Sequence, residues 1–404
     1  MMSPDTIATI KATVPVLQAH GEQLTRLFYQ RMFENNPEVG PFFNQAHQKA
    51  GSQQKALAGA ICAYAENIDN PAALAAAVEL IAQKHASLGI RAEHYPIVGQ
   101  NLLAAIKELL GDAATDDIVN AWAEAYQVLA DIFIEREAEI YRNHEQHHGW
   151  QGFKPFKVIK REDNSRVISS FYLQPADDQP LNPHQAGQYI TIRVPVAEDT
   201  ETMRNYSLSN KPGEDYYRIS VKRETARRDD APHGVVSNFL HDQLGAGDTI
   251  WVGPPCGEFT IRTPVGKPMV MIAGGVGITP LLSMLHASLD NNNDDSPVTL
   301  IQAAVNGETL AFADEIAELE NKYGNFDWHI RYSEPTDNDR YQGRFHSEGL
   351  IDEDLIASVD TSADFYLCGP NGMMQHCHQL LTKAGVPAEQ IHLEAFGPAL
   401  QLAG

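Results

Sequence analysis

The spacing of apolar residues changes twice along this chain of 404 residues. From the N-terminus to about residue 142, apolar residues recur every three to four positions, which predicts helices throughout. From Lys157, short segments alternate apolar and polar residues between Pro, Gly and Asp turns, which predicts an antiparallel sheet or small barrel. From Met269, buried strands alternate with helical segments, as in a parallel α/β sheet. No single layered domain accommodates all three patterns.

We therefore predict a multidomain protein: an all-α domain over residues 1–147, an antiparallel β-barrel domain over residues 151–264, and an α/β parallel-sheet domain over residues 265–404. Residues 144–152, HEQHHGWQG, lose the helical periodicity, so they are interpreted as a linker.

Composition excludes several classes of protein. The chain has 30 Lys and Arg against 53 Asp and Glu, a net charge of −23, which disfavours nucleic acids and anionic membrane surfaces as partners. Its four cysteines are too few and too scattered for a disulfide scaffold or a CxxC metal site. The N-terminus lacks a signal pattern, and no apolar run approaches the ~18 residues of a membrane span. We expect a cytoplasmic monomer.

His85 continues an apolar helical stripe that contains Val78 and Ile81, so its imidazole is predicted to point into the core. One interpretation is a buried histidine whose ring bonds to a backbone carbonyl. The other is an axial ligand to a flat cofactor between helices, because neutral imidazole binds iron well.

Tyr95, at the start of the next helix, and Glu135, on the long last helix, are candidate partners of this histidine. A carboxylate that accepts the second ring N–H of a metal-bound histidine makes the ligand more basic. The alternative for Glu135 is a solvated helix face, because Glu137 and Glu139 are close to it in sequence.

Two motifs in the middle of the chain suit a flavin dinucleotide. They are Arg204-Asn205-Tyr206-Ser207 and, about 30 residues later, the helix start Gly234-Val235-Val236-Ser237-Asn238. The guanidinium can meet phosphate, the aromatic ring can stack on the flavin, and the hydroxyl can reach a ring nitrogen. Free N–H groups at the helix start favour a pyrophosphate. Alone, the first motif is equally compatible with an ordinary half-exposed strand.

A glycine-rich loop follows the first strand of the last domain and precedes a helix: Gly274-Gly275-Val276-Gly277-Ile278-Thr279-Pro280. This setting is the one required to hold the phosphates of a dinucleotide. Cys368-Gly369-Pro370 ends a later strand, where ligands gather in an open α/β sheet. The simpler interpretation of Cys368 is a small buried thiol.

Four segments of the first domain closely resemble the globin domain of bacterial flavohaemoglobins: NPEVGPFFN, GSQQKALAGAICAYAENI, IAQKHASLGIRAEHYPIVG and IFIEREAEIY. The resemblance implies haem b, with His85 as the proximal iron ligand and Tyr95 and Glu135 as its hydrogen-bonded partners. It further implies that Phe43 packs on the haem and that Lys84 adjusts the haem environment. The distal pocket, which faces bound oxygen, would consist of Tyr29, Gln53 and Leu57.

The remaining motifs, together with Gln188-Tyr189, resemble the ferredoxin–NADP reductase family. That resemblance implies FAD in the middle domain and places Cys368-Gly369-Pro370 beside the nicotinamide. The C-terminal segment Glu394-Ala395-Phe396-Gly397-Pro398 would cover the flavin with its phenylalanine. Many relatives have cysteine where this chain has Ala395, which implies an altered flavin potential or rate of hydride transfer.

The domain order resembles a flavohaemoglobin that acts as a nitric oxide dioxygenase, passing electrons from NADH through FAD to haem and converting nitric oxide and oxygen to nitrate. NADH is favoured over NADPH because Asn306-Gly307-Glu308, after the second strand of the last domain, contains no cation. The alternatives are a general NADH-dependent flavin reductase and an oxygen or nitric oxide sensor.

Overall fold

A computed structural model describes residues 2–43, 48, 51–197, 200–225, 234–291 and 295–397. The chain divides into two compact units, residues 1–153 with 193–203 and residues 154–192 with 204–404. The predicted fold class is confirmed, with a helical part, an antiparallel sheet and a parallel sheet in that order. The second unit contains the parallel sheet and most of the antiparallel sheet, whereas residues 193–203, from β3 and β4 of the antiparallel sheet, belong to the first unit. The boundaries between the three domains stay a prediction.

Long helices form the N-terminal part: α1 (Pro4–Asn35), α2 (Ser52–Glu66), α3 (Ala75–Leu88), α4 (Tyr95–Leu110) and α5 (Asp116–His148). The first helix begins where its sequence provides a cap, because the Ser3 side chain accepts a hydrogen bond from the Thr6 backbone N–H at 3.0 Å. Among the described residues, no helix combines the length and the apolar content needed to cross a lipid bilayer.

The prediction of a linker from residue 144 is wrong for its first five residues, because α5 continues to His148. The ring of His144 is buried and packs edge-on against Tyr141, with ring centroids 6.3 Å apart. The residues of this last turn are polar, but burying the apolar part of an imidazole ring still stabilises the helix there. The helix ends at Gly149, whose φ of 83° most residues avoid.

Six strands form the antiparallel sheet: β1 (Lys154–Asp163), β2 (Ile168–Pro175), β3 (Tyr189–Ala197), β4 (Thr200–Ser207), β5 (Tyr217–Lys222) and β6 (Thr249–Val252). Their order is β4-β3-β6-β1-β2-β5. Leu208, directly after β4, bridges to Ile219 of β5, so the two outer strands meet there, consistent with the predicted barrel. The helix α6 (Val235–Gln243) follows β5.

Six strands form the parallel sheet: β7 (Met269–Gly274), β8 (Val298–Ala304), β9 (Phe326–Tyr332), β10 (Ser347–Glu348), β11 (Asp364–Cys368) and β12 (Ile391–Glu394). Their order is β10-β9-β8-β7-β11-β12, and every pair is parallel. The accompanying helices are α7 (Ile278–Leu289), α8 (Ala313–Lys322), α9 (Asp337–Gln342), α10 (Glu353–Ala357) and α11 (Asn371–Lys383). The first strand, β7, lies in the interior of the sheet, so its C-terminal loop has neighbours on both sides.

An ion pair whose arginine is buried joins the antiparallel sheet to helices that accompany the parallel sheet. Arg218 of β5 binds Glu315 of α8 through two hydrogen bonds, of 2.9 and 3.0 Å, and His286 of α7 contacts the same carboxylate at 2.7 Å. Burial alone would raise the pKa of Glu315, but hydrogen bonds from His286 and Arg218 lower it to about 2. The Glu315 carboxylate therefore links its own helix, α8, to the strand β5 and to the helix α7.

Replacing Glu315 by Gln leaves the buried Arg218 guanidinium without its anion, so we expect the free energy of unfolding at pH 7 to fall by about 3 kcal/mol. Because the folded-state pKa lies below the ordinary value of 4.5, this stabilisation is complete above pH 4.5 and is lost as the pH falls toward 2. Chemical denaturation of the full chain at several pH values measures it. Glu318→Gln, at an exposed position of the same helix, is the control; equal losses in both variants would contradict the assignment.

Candidate functional site

An apolar cavity lies among the N-terminal helices. Its volume is about 310 Å³, which falls at the lower end of the range for cofactor pockets. Residues from all five helices line it, and most of them are aliphatic or aromatic. Two imidazoles are included, those of His85 and His94.

The ring of His85 is held by hydrogen bonds on one nitrogen. Its Nδ1 lies 2.8 Å from Oε1 of Glu137 and 3.2 Å from the hydroxyl of Tyr95, and that hydroxyl donates to the same carboxylate oxygen at 2.6 Å. The carboxylate is only 2% exposed, whereas the imidazole is 34% exposed. A proton on Nδ1 leaves Nε2 as a lone-pair donor on a ring that lines the cavity. Among the residues that the structure describes, the partners of this histidine are a carboxylate and a hydroxyl, not a backbone carbonyl.

The prediction that Glu135 is the hydrogen-bond partner of His85 is wrong, because the carboxylate that contacts the ring belongs to Glu137. The reason is helical geometry on α5. Phe133 lines the cavity with its ring centroid 5.6 Å from that of His85, and Glu137, four residues later, shares its face. Glu135 lies two residues from Phe133, about 200° around the helix, and it is exposed. Counting from Phe133 could have identified the correct carboxylate.

Tyr95 joins this cluster as predicted. Burial and the hydrogen bond to the Glu137 carboxylate raise the pKa of its hydroxyl, so the group stays protonated and donates. Its backbone carbonyl accepts a hydrogen bond of 2.6 Å from the hydroxyl of Tyr126, which fixes the start of α4 against α5.

Tyr29, Phe43 and Leu57 line the cavity, and the rings of Tyr29 and Phe43 meet edge-on with centroids 5.7 Å apart. Burial raises the pKa of Tyr29, partly opposed by a hydrogen bond with the Gln48 side chain. Gln53 is not among the lining residues; its side-chain oxygen accepts from Gln48 Nε2 at 2.9 Å.

Gln48 thus links the predicted distal residues Tyr29 and Gln53, and sequence reasoning missed it. It precedes α2, where no periodic pattern distinguishes one glutamine from another. Lys84, half-buried next to His85 in the chain, is also outside the set of lining residues.

The Arg204-to-Ser207 motif forms the end of β4. Burial lowers the pKa of the Arg204 guanidinium and raises that of the Tyr206 hydroxyl. Asn205 accepts a hydrogen bond of 2.8 Å from the Thr191 hydroxyl, and Ser207 is buried. A cation in such surroundings binds an anion more strongly than it would in water, which suits a phosphate. Tyr189, named in the same resemblance, starts β3 and is buried.

The second flavin motif begins α6 at Val235, after Gly234. Ser237 accepts from the backbone N–H of Glu224 at 3.2 Å, and Asn238 donates to the carbonyl of Glu224 at 2.9 Å. Glu224 also raises the pKa of Tyr206 electrostatically, so the two motifs lie near one another. Val235 is exposed and Val236 is buried, which leaves the helix start open on one side.

The glycine-rich loop is positioned by close packing. A Cβ on Gly277 would lie 2.1 Å from the carbonyl oxygen of Cys368, and one on Gly274 would lie 2.8 Å from Pro370. Gly369 approaches the backbone of Gly274 in the same way. The loops after β7 and β11 therefore meet at the carboxyl edge of the sheet, as expected for a dinucleotide site.

The rest of this loop follows the predicted strand–loop–helix arrangement. Gly275 has a φ of 53°, Val276 is half-buried, and Ile278, Thr279 and Pro280 begin α7 as buried residues. The hydroxyl of Thr279 donates to the carbonyl of Val276 at 3.0 Å, closing the turn.

Cys368 is buried, and both burial and Glu394 on the neighbouring strand β12 raise the pKa of its thiol. Ala395 and Gly397 flank Phe396, whose ring is 46% exposed. Pro398 lies outside the described residues. The predicted effect of Ala395 on the flavin stays a prediction.

Comparison with known families agrees with these three sites. Residues 26–133 match the family Globin, residues 155–261 the family Oxidoreductase FAD-binding domain, and residues 271–379 the family Oxidoreductase NAD-binding domain. The expected haem, FAD and nicotinamide domains are thereby confirmed.

Similar proteins cover the whole chain or its reductase part. The flavohemoprotein of Rhodopirellula baltica is 49% identical over 406 residues, covering 100% of this chain and 99% of its own. The structure of the flavohemoglobin from Malassezia yamatoensis, with bound FAD and haem, has a TM-score of 0.86 at 28% identity and covers 98% of this chain and 99% of its own. The FAD/NAD-binding domain of nitric oxide dioxygenase from Vibrio cholerae has a TM-score of 0.54 at 33% identity, over 61% of this chain and 99% of its own.

The fold and the sites define an oxidoreductase in which a globin precedes FAD- and NAD-binding domains. The chain belongs to the flavohemoprotein family.

Glu137→Ala removes the acceptor of the Tyr95 hydroxyl and the His85 ring, leaving buried donors unpaired. We expect the free energy of unfolding to fall by roughly 1–3 kcal/mol. Glu135→Ala, at the exposed position two residues earlier, should change it by less than about 0.5 kcal/mol. Chemical denaturation compares the two variants, and a larger loss in Glu135→Ala would restore the original assignment.

Proposed function

We propose that this chain is a nitric oxide dioxygenase, which uses electrons from NADH to convert nitric oxide and oxygen to nitrate and so detoxifies nitric oxide. The observation that carries the proposal is the His85–Glu137–Tyr95 cluster in an apolar cavity, on the same chain as a flavin- and nicotinamide-binding reductase. The similarity to the FAD/NAD-binding domain of the nitric oxide dioxygenase from Vibrio cholerae supports it. The expected cytoplasmic location and monomeric state stay predictions.

The cavity residues fit haem. The lining is apolar, and His85 supplies the neutral nitrogen donor that iron binds in globins. Its orientation is fixed by a buried carboxylate, as is usual for metal-ligating histidines. In the second unit, Gly277 and Gly369 bring two loops too close for any side chain, which leaves backbone N–H groups to meet a dinucleotide.

When bound, the haem supplies the iron at which oxygen and nitric oxide react, and the FAD transfers electrons to it from the nicotinamide. The chain supplies orientation and electrostatics. Glu137 accepts a hydrogen bond from the Nδ1–H of His85, which makes Nε2 more electron-rich. Tyr29 keeps its proton because burial raises its pKa, so its hydroxyl can donate to a polar ligand inside the cavity. The apolar lining excludes water.

NADH is the proposed electron donor. Burial alone would raise the pKa of Asp339, but hydrogen bonds from the backbone and side chain of Thr336, and from the backbone of Gly307 after β8, lower it. An ionised carboxylate at this position favours a ribose hydroxyl and repels a 2′-phosphate. The region from residue 265 to the C-terminus has 6 basic against 20 acidic side chains, which acts in the same direction.

The direct test measures nitric oxide consumption and nitrate by the full chain loaded with haem and FAD. We expect one NADH oxidised for two nitric oxide molecules converted, because each conversion to nitrate with oxygen takes one electron. His85→Ala should abolish nitric oxide consumption and retain NADH oxidation by ferricyanide. Nitric oxide consumption that survives in His85→Ala would favour a general flavin reductase.

Tyr29→Phe removes the hydroxyl donor from the cavity, so the dissociation rate of oxygen should rise by about 5-fold to about 150-fold, since a hydrogen bond to a polar ligand is worth about 1–3 kcal/mol. Stopped-flow displacement of oxygen by carbon monoxide measures it. Tyr64→Phe is the matched control, because Tyr64 lines the same cavity but donates its hydroxyl to the carbonyl of Ala125 at 2.8 Å. Equal rates in wild type and Tyr29→Phe would remove Tyr29 from the mechanism.

A further inference from the structure

A second apolar space lies between α1, α4 and α5. We call it the outer cleft, and its volume is about 370 Å³. Leu17, Leu24 and Ile106 are buried at its base, whereas Ala12 and Val16 are exposed at its mouth, Val16 by 37%. The polar and charged side chains around it include His20 and Asp117, which are exposed.

The outer cleft and the haem cavity lie one helical turn apart along the same three helices. On each helix, a residue that lines the cleft is four positions from a residue that lines the cavity: Leu24 and Phe28 on α1, Ile106 and Leu102 on α4, and Ile118 and Trp122 on α5. Four residues span about 6 Å of helix, which is the thickness of one layer of side chains.

Trp122 is the residue that belongs to both spaces. Its indole is buried and lines the outer cleft as well as the haem cavity. Leu24, Phe28, Leu102 and Ile106 pack in the same apolar core cluster. The buried indole of Trp122 is therefore part of the partition between the two spaces.

We propose that the outer cleft is an access site for diatomic gases, and that Trp122 controls their passage into the haem cavity. The identity of the gases as oxygen and nitric oxide rests on the proposed function. Small neutral molecules leave water for apolar cavities, as benzene and xenon do. Only one layer of side chains separates the two spaces, and the mostly apolar lining of both disfavours an ion.

The test measures association of carbon monoxide with the full haem- and FAD-loaded chain after flash photolysis. Ala12→Trp fills the mouth of the cleft, so the bimolecular rate should fall several-fold. Trp122→Phe thins the partition, so that rate should rise. Ala8→Trp, exposed on the same helix and outside the cleft lining, is the matched control and should leave the rate unchanged.

An unchanged rate in Ala12→Trp overturns the proposal, whatever Trp122→Phe does. If Ala12→Trp does not fold, Val16→Trp fills the same mouth and decides the question in the same way. A wild-type protein that binds haem and carbon monoxide but produces no nitrate contradicts the proposed function, whereas equal association rates in all variants contradict the access route alone.

Discussion

The globin part depends on one carboxylate oxygen. Oε1 of Glu137 lies 2.8 Å from Nδ1 of His85 and accepts the Tyr95 hydroxyl at 2.6 Å. Burying a carboxylate is unfavourable unless it is hydrogen-bonded, and here both donors come from residues at the ends of α3 and α4. The same contacts that stabilise the carboxylate select the tautomer of His85 and fix the plane of its ring. The orientation of His85 in the cavity thus depends on Glu137, a residue that does not line the cavity.

In the reductase part, the dinucleotide site is shaped by close contacts between backbone atoms rather than by hydrogen-bonded side chains. Gly277 touches the carbonyl of Cys368 so closely that no Cβ fits, and this contact joins the loops after β7 and β11. Arg218 and Glu315 then hold the antiparallel sheet against α8. Flavin and nicotinamide motifs far apart in sequence are consequently part of one compact unit.

The changes in periodicity were sufficient to predict the three kinds of domain, because burial imposes a period of 3.6 on helices and of 2 on strands. His85 and the glycine-rich loop were predictable since their neighbours in sequence define their setting. Glu137 was missed in favour of Glu135 because the sequence around both is rich in glutamate, and only the phase set by Phe133 separates them. Gln48 and the double role of Trp122 could not be predicted, as both depend on how separate helices pack.

The most direct test of the central claim is the iron–histidine stretching frequency, measured by resonance Raman spectroscopy on the ferrous, haem-loaded chain. If Glu137 makes His85 electron-rich, the frequency should fall in Glu137→Gln, because an amide is a weaker acceptor of the Nδ1 proton than a carboxylate. It should remain at the wild-type value in Glu135→Gln. A frequency that is unchanged in Glu137→Gln, or a shift of equal size in both variants, would contradict the account.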